Sequence, residues 1–565
     1  MTASPNRIDC GDGVTLERGL RCRMSDGVHL VSDHYYPPST GAPAQHPTLL
    51  MRQPYGRDIA STVVYAHPAW FARQGYLVVI QDVRGRGDSE GEFYPFRQEG
   101  ADGAETIAWL CARPESNGRL GMYGFSYQGM TQLLAAARQP PGLQAIAPAM
   151  CACDLYQGWF YHGGALRLAG TLGWGLQLLK ADARRLRLAR ASEALERAWA
   201  NLGSQPHHLP YGQHPALHGE GLPSYVLDWL AHPEPGSYWD SLDIHTSLHH
   251  IQVPALHLSG WRDPFVKGTI DGFLALSDRA GTDAARTHQY LVAGPWVHIP
   301  WGDSAGPEAF GPEALLDTDQ LLLRWFNHWL KDTGEFAREP RIRHFALGEN
   351  RWHVANTWGA STEPLRLHLH SGGRANSRKG DGTLSPAAPL AAQPPDLFVH
   401  DPEVPVLASS GGGDQSQPEL GNNMLVYTSA ALTQPIHVFG YPRLILYASA
   451  SATHTDFTGR LVCVAADARA HSVCIGILRS GPHVRPDVPS RWEIELEPTS
   501  FCFQPGERIR LEVASSAFPL YDKNPGTGVE PAQATSWDWR RSTQIVHHDP
   551  QHLSLLLLPV LPRSA

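Results

Sequence analysis

No run of about 18 apolar residues occurs anywhere in this chain, so no membrane-spanning helix is expected. Residues 1–10 carry neither a basic n-region nor an apolar h-region, and no secretory signal is read there. Positive charge is in short supply: 46 Lys and Arg stand against 55 Asp and Glu, for a net charge of −9 and a pI near 6.3. With no long basic run, the electrostatic footprint of a nucleic-acid binder is missing. Eight cysteines scattered over 565 residues do not make a disulfide framework and read as reduced, mostly buried thiols. Cys151-Ala-Cys153 lacks a second Cys/His pair at zinc-finger spacing. The 29 histidines include doublets at His207-His208, His249-His250 and His547-His548, but no H-E-x-x-H or comparable ligand spacing. They read as surface or packing residues, and no metal or cofactor is expected. What remains is a soluble, cytoplasmic protein with a small-molecule partner, no nucleic acid and no membrane. Whether it forms a homo-oligomer is left open.

What is present is a rhythm. Residues 76–82 (YLVVIQD) form a short β-branched apolar run, the signature of a strand buried on both faces. Residues 48–52, 120–123 and 145–147 look like companions, while 101–112 and 130–138 have helical composition. Alternation of this kind predicts a mainly parallel sheet with helices on both faces. It breaks near Met150. Residues 154–243 are rich in Trp, Leu, Ala and Arg, and Leu188, Ala191, Leu195, Trp199 and Leu202 share one helical face. Strand-like runs resume at 255–259 and 290–293, and 316–331 reads as a closing helix. An insertion of this size near strand ends predicts a helical lid over a site. Beyond Arg343, segments 365–370, 443–447, 492–497 and 508–513 alternate apolar and polar residues, which predicts an antiparallel β-sandwich. Residues 372–393 and 409–417 read as long loops. The division is therefore 1–150 and 249–343 for an α/β unit, 151–248 for the lid and 344–565 for a sandwich.

The most pointed segment is Gly121-Met-Tyr-Gly-Phe-Ser126-Tyr-Gln-Gly129. A strand runs straight into a serine flanked by glycines, and a helix follows. Such a turn exposes a hydroxyl, and the helix start offers free N–H groups to a developing oxyanion. The spacing departs from the common G-x-S-x-G, because the second glycine is one residue late. A serine nucleophile needs a base and a group to orient it. Asp263 follows the strand at 255 and His298 the strand at 290, and the order Ser126, Asp263, His298 is that of α/β-hydrolases. Singly, Asp263 reads as a helix N-cap and His298 as a loop histidine. Together, at three strand ends, they read as a catalytic triad. Gly85-Arg-Gly87-Asp-Ser-Glu-Gly91 superficially suggests a phosphate loop or an adhesion motif, but its third glycine is wrongly spaced.

These motifs resemble the cocaine esterase family within the X-Pro dipeptidyl-peptidase (S15-like) α/β-hydrolases. That family's G-x-S-Y-x-G, G-W-x-D, G-P-W-x-H and R-x-P-Y segments are matched by residues 124–129, 260–263, 294–298 and 52–55. Asp82-Val-Arg-Gly-Arg-Gly-Asp-Ser-Glu-Gly91 is similar to its D-x-R-G loop, and 455–458, 515–519 and 524–527 continue the likeness, which spans nearly the whole chain. The resemblance implies an α/β-hydrolase with an inserted helical lid and a C-terminal jelly roll. It implies Ser126 as nucleophile, His298 as base then acid, and Asp263 as orienter. It implies an oxyanion hole made by the Tyr55 hydroxyl and the backbone N–H of Tyr127. Phe265 would help wall the acyl pocket. Trp159, Phe160 and Trp174 either face the pocket or fill the lid, core being the expectation; Trp159 is carried as a candidate substrate contact.

The family includes esterases, α-amino acid ester hydrolases, acylases and dipeptidyl peptidases, and members taking α-amino acyl groups hold the ammonium with carboxylates near the catalytic aspartate. Here Asp263 is flanked by Arg262 and Lys267 and lacks acidic neighbours. The expectation is a serine esterase preferring neutral or acidic acyl groups. The alternatives are an amide-cleaving acylase or X-Pro dipeptidyl peptidase, and a non-catalytic protein binding through its jelly roll.

Overall fold

A computed structural model of the chain describes residues 7–39, 44–59, 62–334, 336–359, 363–409, 412–481 and 485–562. The reading of residues 1–6 as signal-free, and residues 410–411 of the loop at 409–417, lie outside these.

Eleven strands form the first sheet: β1 (Arg7–Asp9), β2 (Thr15–Arg23), β3 (His29–Tyr36), β4 (His46–Gln53), β5 (Leu77–Asp82), β6 (Ser116–Phe125), β7 (Leu143–Ala149), β8 (Ala255–Gly260), β9 (Gln289–Gly294), β10 (Ile342–Ala346) and β11 (Arg351–Ala355). Their spatial order is β1-β2-β3-β5-β4-β6-β7-β8-β9-β10-β11. Every neighbour pair from β5 to β10 is parallel, and the pairs at the margins are antiparallel. Why these runs are strands is plain at β5, whose six residues are all buried: apolar side chains on both faces suit a sheet covered on both sides. The covering helices are α1 (Pro68–Arg73), α2 (Glu99–Cys111), α3 (Tyr127–Ala136), α7 (Val266–Arg279) and α8 (Thr318–Lys331). All ten residues of α3 are buried, so the helix that begins beside Ser126 is central to the molecule.

Between β7 and β8 the chain leaves the sheet and builds the helical insertion, with α4 (Leu168–Arg185), α5 (Ala189–Ala200) and α6 (Tyr225–Ala231). On the amphipathic stretch, Ala191 and Leu195 are buried within α5; Leu188 caps the helix and Leu202 opens a following 3₁₀ turn. A break near Asn201 therefore ends the face sooner than its periodicity predicts. Buried polar contacts hold the insertion down. Arg86, from the loop after β5, bonds Leu178 O at 3.2 Å and Asp182 Oδ2 at 3.1 Å, and Tyr225 donates to Asp182 Oδ2 at 2.7 Å. The glycine-rich segment at 85–91 is thus a structural anchor for α4.

The C-terminal region is almost wholly β. Strands Leu365–His370, Leu425–Ser429, Arg443–Ala450, Asp456–Val464, Ala470–Arg479, Ser490–Glu495, Arg508–Ala514, Ser542–His547 and Leu555–Leu558 belong to a second sheet that curls back on itself as a sandwich. A Cβ at Gly476 would lie 2.3 Å from Glu495 O, and one at Gly459 would lie 2.9 Å from the Leu444 side chain, so its two faces meet with no room to spare. A division at residue 343 cuts through β10, because β10 extends the parallel ladder and β11 closes the sheet's edge antiparallel to it. The reason is that β10 continues the parallel ladder of β9 and is buried at four of its five positions, although Arg343 and His344 make it less apolar than its neighbours.

Candidate active site

Four loops at the carboxyl ends of β4, β6, β8 and β9 converge, which is where ligands sit in open parallel sheets. Strand β6 ends at Phe125 and α3 begins at Tyr127, leaving Ser126 alone between them with φ 60° and ψ −127°. For a non-glycine residue this conformation costs on the order of 1–3 kcal/mol, and it persists only where the surroundings enforce it. Gly124 beside it has φ +138°. The late glycine has a steric reason: a Cβ at Gly129 would stand 2.7 Å from Cys151 Sγ and 3.0 Å from Ala149 O. Position 128, where the common pattern has glycine, holds a buried Gln whose Oε1 accepts from Phe125 N at 3.2 Å.

The Asp263 and His298 loops are stitched to each other. Trp261 N bonds Gly294 O at 2.9 Å and Arg262 N bonds Trp296 O at 3.0 Å, continuing the parallel ladder of β8 and β9. Asp263, 3 % exposed, receives Phe265 N on Oδ2 at 3.0 Å and His298 Nδ1 on Oδ1 at 2.6 Å. A carboxylate only accepts, so Nδ1 carries the proton and Nε2 presents a lone pair. The Trp301 indole donates to His298 O at 3.1 Å and stacks on buried Trp296, which fixes the loop. The imidazole packs on Phe125, next to Ser126, at 5.3 Å between ring centroids, and on Phe265 at 5.2 Å. Ser126 and His298 line the same cavity.

Tyr55 lies past the end of β4. Arg57 anchors its loop through Asp33 (2.7 Å) and Asp82 (2.6 Å). The Trp174 indole donates to the Tyr55 hydroxyl at 3.2 Å, which leaves the phenolic hydrogen for another acceptor, and Tyr55 lines the same cavity as Ser126. Burial pushes the Tyr55 pKa up, so the phenol stays neutral. Tyr127 is divided in its roles. Its side chain points into the core, stacked on Phe96 at 4.8 Å and donating to Glu99 Oε1 at 2.8 Å. Its amide is the first of α3, where helix geometry leaves N–H groups without intrahelical acceptors. Glu99 also pairs with buried Arg52 at 2.8 Å, so the Arg52 of the R-x-P-Y segment braces the elbow from behind.

The cavity encloses about 580 Å³ and draws its walls from all three parts of the chain. Phe265 and Trp159 are both in its wall, stacked on each other at 4.1 Å. Trp174 lines it too, contrary to the expectation that it fills the lid's core; its bond to Tyr55 turns it inward. Phe160 does pack in the core, fully buried. Trp199 from α5 and Pro519 and Leu520 from the sandwich complete the apolar lining. Among the described lining residues none is a carboxylate. Arg167 is the charged one, and it is paired with Glu497 at 3.1 Å.

The cations flanking Asp263 are spent elsewhere, which corrects the charge argument drawn from sequence. Arg262 forks onto Glu308 at 2.8 and 3.0 Å and donates to Val473 O at 3.0 Å. Lys267 lies between Asp271 and Glu495, 2.8 Å from each. Neither lines the cavity. Gln128 and Arg167 are site residues that motif reading missed: Gln128 stands within the nucleophile segment at a position the motif leaves open, and the place of Arg167, like that of Trp174, depends on how the insertion folds.

With this geometry established, similarity to known proteins is informative. Residues 26–300 match the X-Pro dipeptidyl-peptidase (S15 family) and residues 334–557 match the X-Pro dipeptidyl-peptidase C-terminal non-catalytic domain. The chain is 33 % identical to the cocaine esterase of Rhodococcus sp. (strain MB1 Bresler), over 96 % of this chain and 97 % of that protein. Among solved structures, an α-amino acid ester hydrolase superposes with a TM-score of 0.79 at 24 % identity, covering 98 % of this chain and 97 % of the other. An aminopeptidase from the marine sediment archaeon Thaumarchaeota archaeon gives 0.79 at 24 % identity, covering 100 % and 99 %. These two likenesses describe the fold.

Proposed function

The chain belongs to the X-Pro dipeptidyl-peptidase (S15) family, in its cocaine esterase-like branch, and we propose that it is a serine hydrolase of carboxylic esters working through Ser126, His298 and Asp263. The observation that carries this reading is the 2.6 Å contact between Asp263 and His298 beside a strained, cavity-lining Ser126. In the first half-reaction Ser126 Oγ attacks the acyl carbon as His298 Nε2 takes its proton. Negative charge on the former carbonyl oxygen is received by the Tyr55 hydroxyl and the Tyr127 amide, donors already oriented before the substrate arrives. Collapse expels the alcohol, protonated by His298, and leaves an acyl-Ser126 ester. Water, activated by the same imidazole, then releases the acid. Asp263 keeps the proton on Nδ1 throughout and stabilises the transient imidazolium.

Specificity follows from the wall. Trp159, Phe265, Trp174 and Trp199 offer apolar and aromatic surface, suited to a bulky uncharged acyl or alcohol group. An α-ammonium finds no carboxylate among the described lining residues, which argues against dipeptidyl-peptidase and α-amino acyl substrates. Because Arg262 and Lys267 are neutralised by Glu308, Asp271 and Glu495, neutral acyl groups are favoured over acidic ones.

A fluorophosphonate probe should label the protein stoichiometrically and fail on Ser126→Ala; labelling that survives the substitution refutes the assignment. The acyl preference is read by comparing kcat/KM for phenylacetyl, phenylglycyl and glutaryl esters of one alcohol. A phenylglycyl ester turning over faster than its phenylacetyl counterpart overturns the specificity argument while leaving the nucleophile untouched.

A further inference from the structure

Away from the cavity, the seam between the two sheets holds a group of side chains that the hydrolytic reaction does not use. The hairpin of β10 and β11 sets His344 opposite His353, with Glu349 in the turn between them. The hairpin is sewn to the sandwich at Leu347, whose N bonds Ser500 O at 2.9 Å and whose O receives Cys502 N at 2.8 Å. Strand Ile436–Gly440, paired with Thr499–Phe503, brings His437 against the same spot. The His353 and His437 rings lie 5.0 Å apart between centroids, edge to face. His353 Nε2 is 2.8 Å from Glu349 Oε2. One donor atom from each of Glu349, His353 and His437 lies within 4.8 Å of the other two.

The geometry points to a transition-metal site, for which Zn²⁺ is the fitting ion, formed by Glu349, His353 and His437 and joining the edge of the α/β sheet to the β-sandwich. Two imidazoles and a carboxylate are a donor set suited to zinc, with a fourth position left to water. The 2.8 Å His353–Glu349 separation is a hydrogen bond that would open to about 3.4 Å, the edge of a tetrahedron whose ligand bonds are about 2.1 Å, as the ion replaces the shared proton. A further feature is what surrounds the ligands. Ser500 Oγ is 3.0 Å from His437 Nε2 and 2.8 Å from His344 Nδ1. One hydroxyl can accept from the first ring and donate to the second, which puts the His437 proton on Nε2 and frees Nδ1 as a ligand. Ligating histidines are oriented in this way, by a hydrogen bond to their other nitrogen. His344 is itself locked, 1 % exposed and stacked on Phe439 at 4.0 Å. All three ligand residues are partly exposed, so an ion can enter from solvent. Two other groups of possible ligands occur among the described residues. His547, Asp549 and His552 come from one short stretch of chain, and Asp243 of the Asp154–Asp243–His245 group is engaged by Leu155 N at 2.9 Å. The hairpin group differs in drawing its ligands from two different sheets, so an ion there would tie them together.

The test uses the full-length protein stripped with EDTA and titrated with zinc chloride by calorimetry, and with cobalt chloride by visible absorption. One Zn²⁺ per chain is expected, with d–d bands in the Co²⁺ form and a rise in Tm with added zinc. The His353→Ala/His437→Ala double variant should lose stoichiometric binding, the bands and the rise in Tm. Its ester hydrolysis and Tm without metal serve as folding controls. Glu349→Gln, in a partly exposed turn, should weaken binding at least about tenfold and change the Co²⁺ spectrum; it decides the matter if the double variant does not fold. No zinc uptake by the parent protein overturns the proposal. So does an unchanged Co²⁺ spectrum in Glu349→Gln, or binding abolished by His547→Ala/His552→Ala and not by the hairpin variants.

Discussion

Replacing Tyr55 by Phe removes one oxygen atom and separates two contributions, the oxyanion role proposed above and a structural one. The first is catalytic. If the hydroxyl donates to the developing oxyanion, its loss leaves the Tyr127 amide as the remaining donor, and removing one such donor typically lowers kcat by about 10²–10³-fold. KM should barely move, because the donor is felt mainly in the transition state. The second is structural. The Trp174 indole, 3.2 Å from the hydroxyl, loses its acceptor. Because Trp174 is half-buried and lines the cavity, water can replace that acceptor, and the loss should stay near the net worth of one hydrogen bond, about 0.5–1.5 kcal/mol, read as a lower denaturation midpoint. Trp174→Phe separates the two effects: it keeps the phenol, and a kcat loss of about tenfold or less is expected. Because burial pushes the Tyr55 pKa up, ionisation of the phenol should not limit kcat below about pH 10. The assay is steady-state hydrolysis of a p-nitrophenyl ester alongside the rate of fluorophosphonate labelling. A Tyr55→Phe enzyme with kcat within about threefold of the parent refutes the oxyanion role, however strongly it is destabilised.

Asp263→Asn should lower kcat by about 10⁴-fold with little change in melting, since the amide can present an N–H to His298 Nδ1 and favour the wrong tautomer; a loss below about tenfold counts against the triad. Gly129→Ala inserts a methyl 2.7 Å from Cys151 Sγ at the elbow and should cost about 1–3 kcal/mol while slowing labelling of Ser126; urea denaturation and probe kinetics report both. In the sandwich, burial pushes the pKa of Glu512 up to about 8. The folded state therefore retains a proton that the unfolded chain releases above about 4.5, and the stabilisation present at acid pH is lost as pH rises toward 8, by up to about 1.4 kcal/mol per pH unit. Glu512→Gln should flatten that slope in denaturation curves at pH 5, 7 and 8.5; an unchanged slope assigns it to other groups.

Much of the architecture is legible before folding because it rests on local periodicity. The run at 76–82 is buried throughout since its strand is covered on both faces, and 492–495 alternates since its strand has one solvent side; 508–513 alternates as well, but its Arg510 and Glu512 are buried. Tertiary context decided the margins: β10 and β11 join the first sheet, β11 antiparallel at its edge, although the composition has begun to change. The charge argument around Asp263 failed for a related reason. A sequence displays Arg262 and Lys267 as charges and Asp271 one helical turn past Lys267, but Glu308 and Glu495, which complete the neutralisation, arrive from a distant hairpin and from another sheet. Trp174 is ambiguous from spacing alone, because a Trp on an amphipathic helix can face either the core or a cavity.

By itself, the order of residues determined that a serine would stand at a strand-to-helix turn, and that an aspartate and a histidine would follow two further strands. Glycine at 124 and 129 and the apolar runs before each loop encode this locally, through allowed dihedrals and burial. Only the tertiary structure decided that the loops after β8 and β9 zip together and bring His298 back toward Phe125 across the intervening strands. It alone lowered α4 onto Tyr55 and made one cavity from three parts of the chain. Those outcomes depend on packing between segments tens to hundreds of residues apart, where a side chain's neighbours are set by the sum of many weak contacts and not by its position in the sequence.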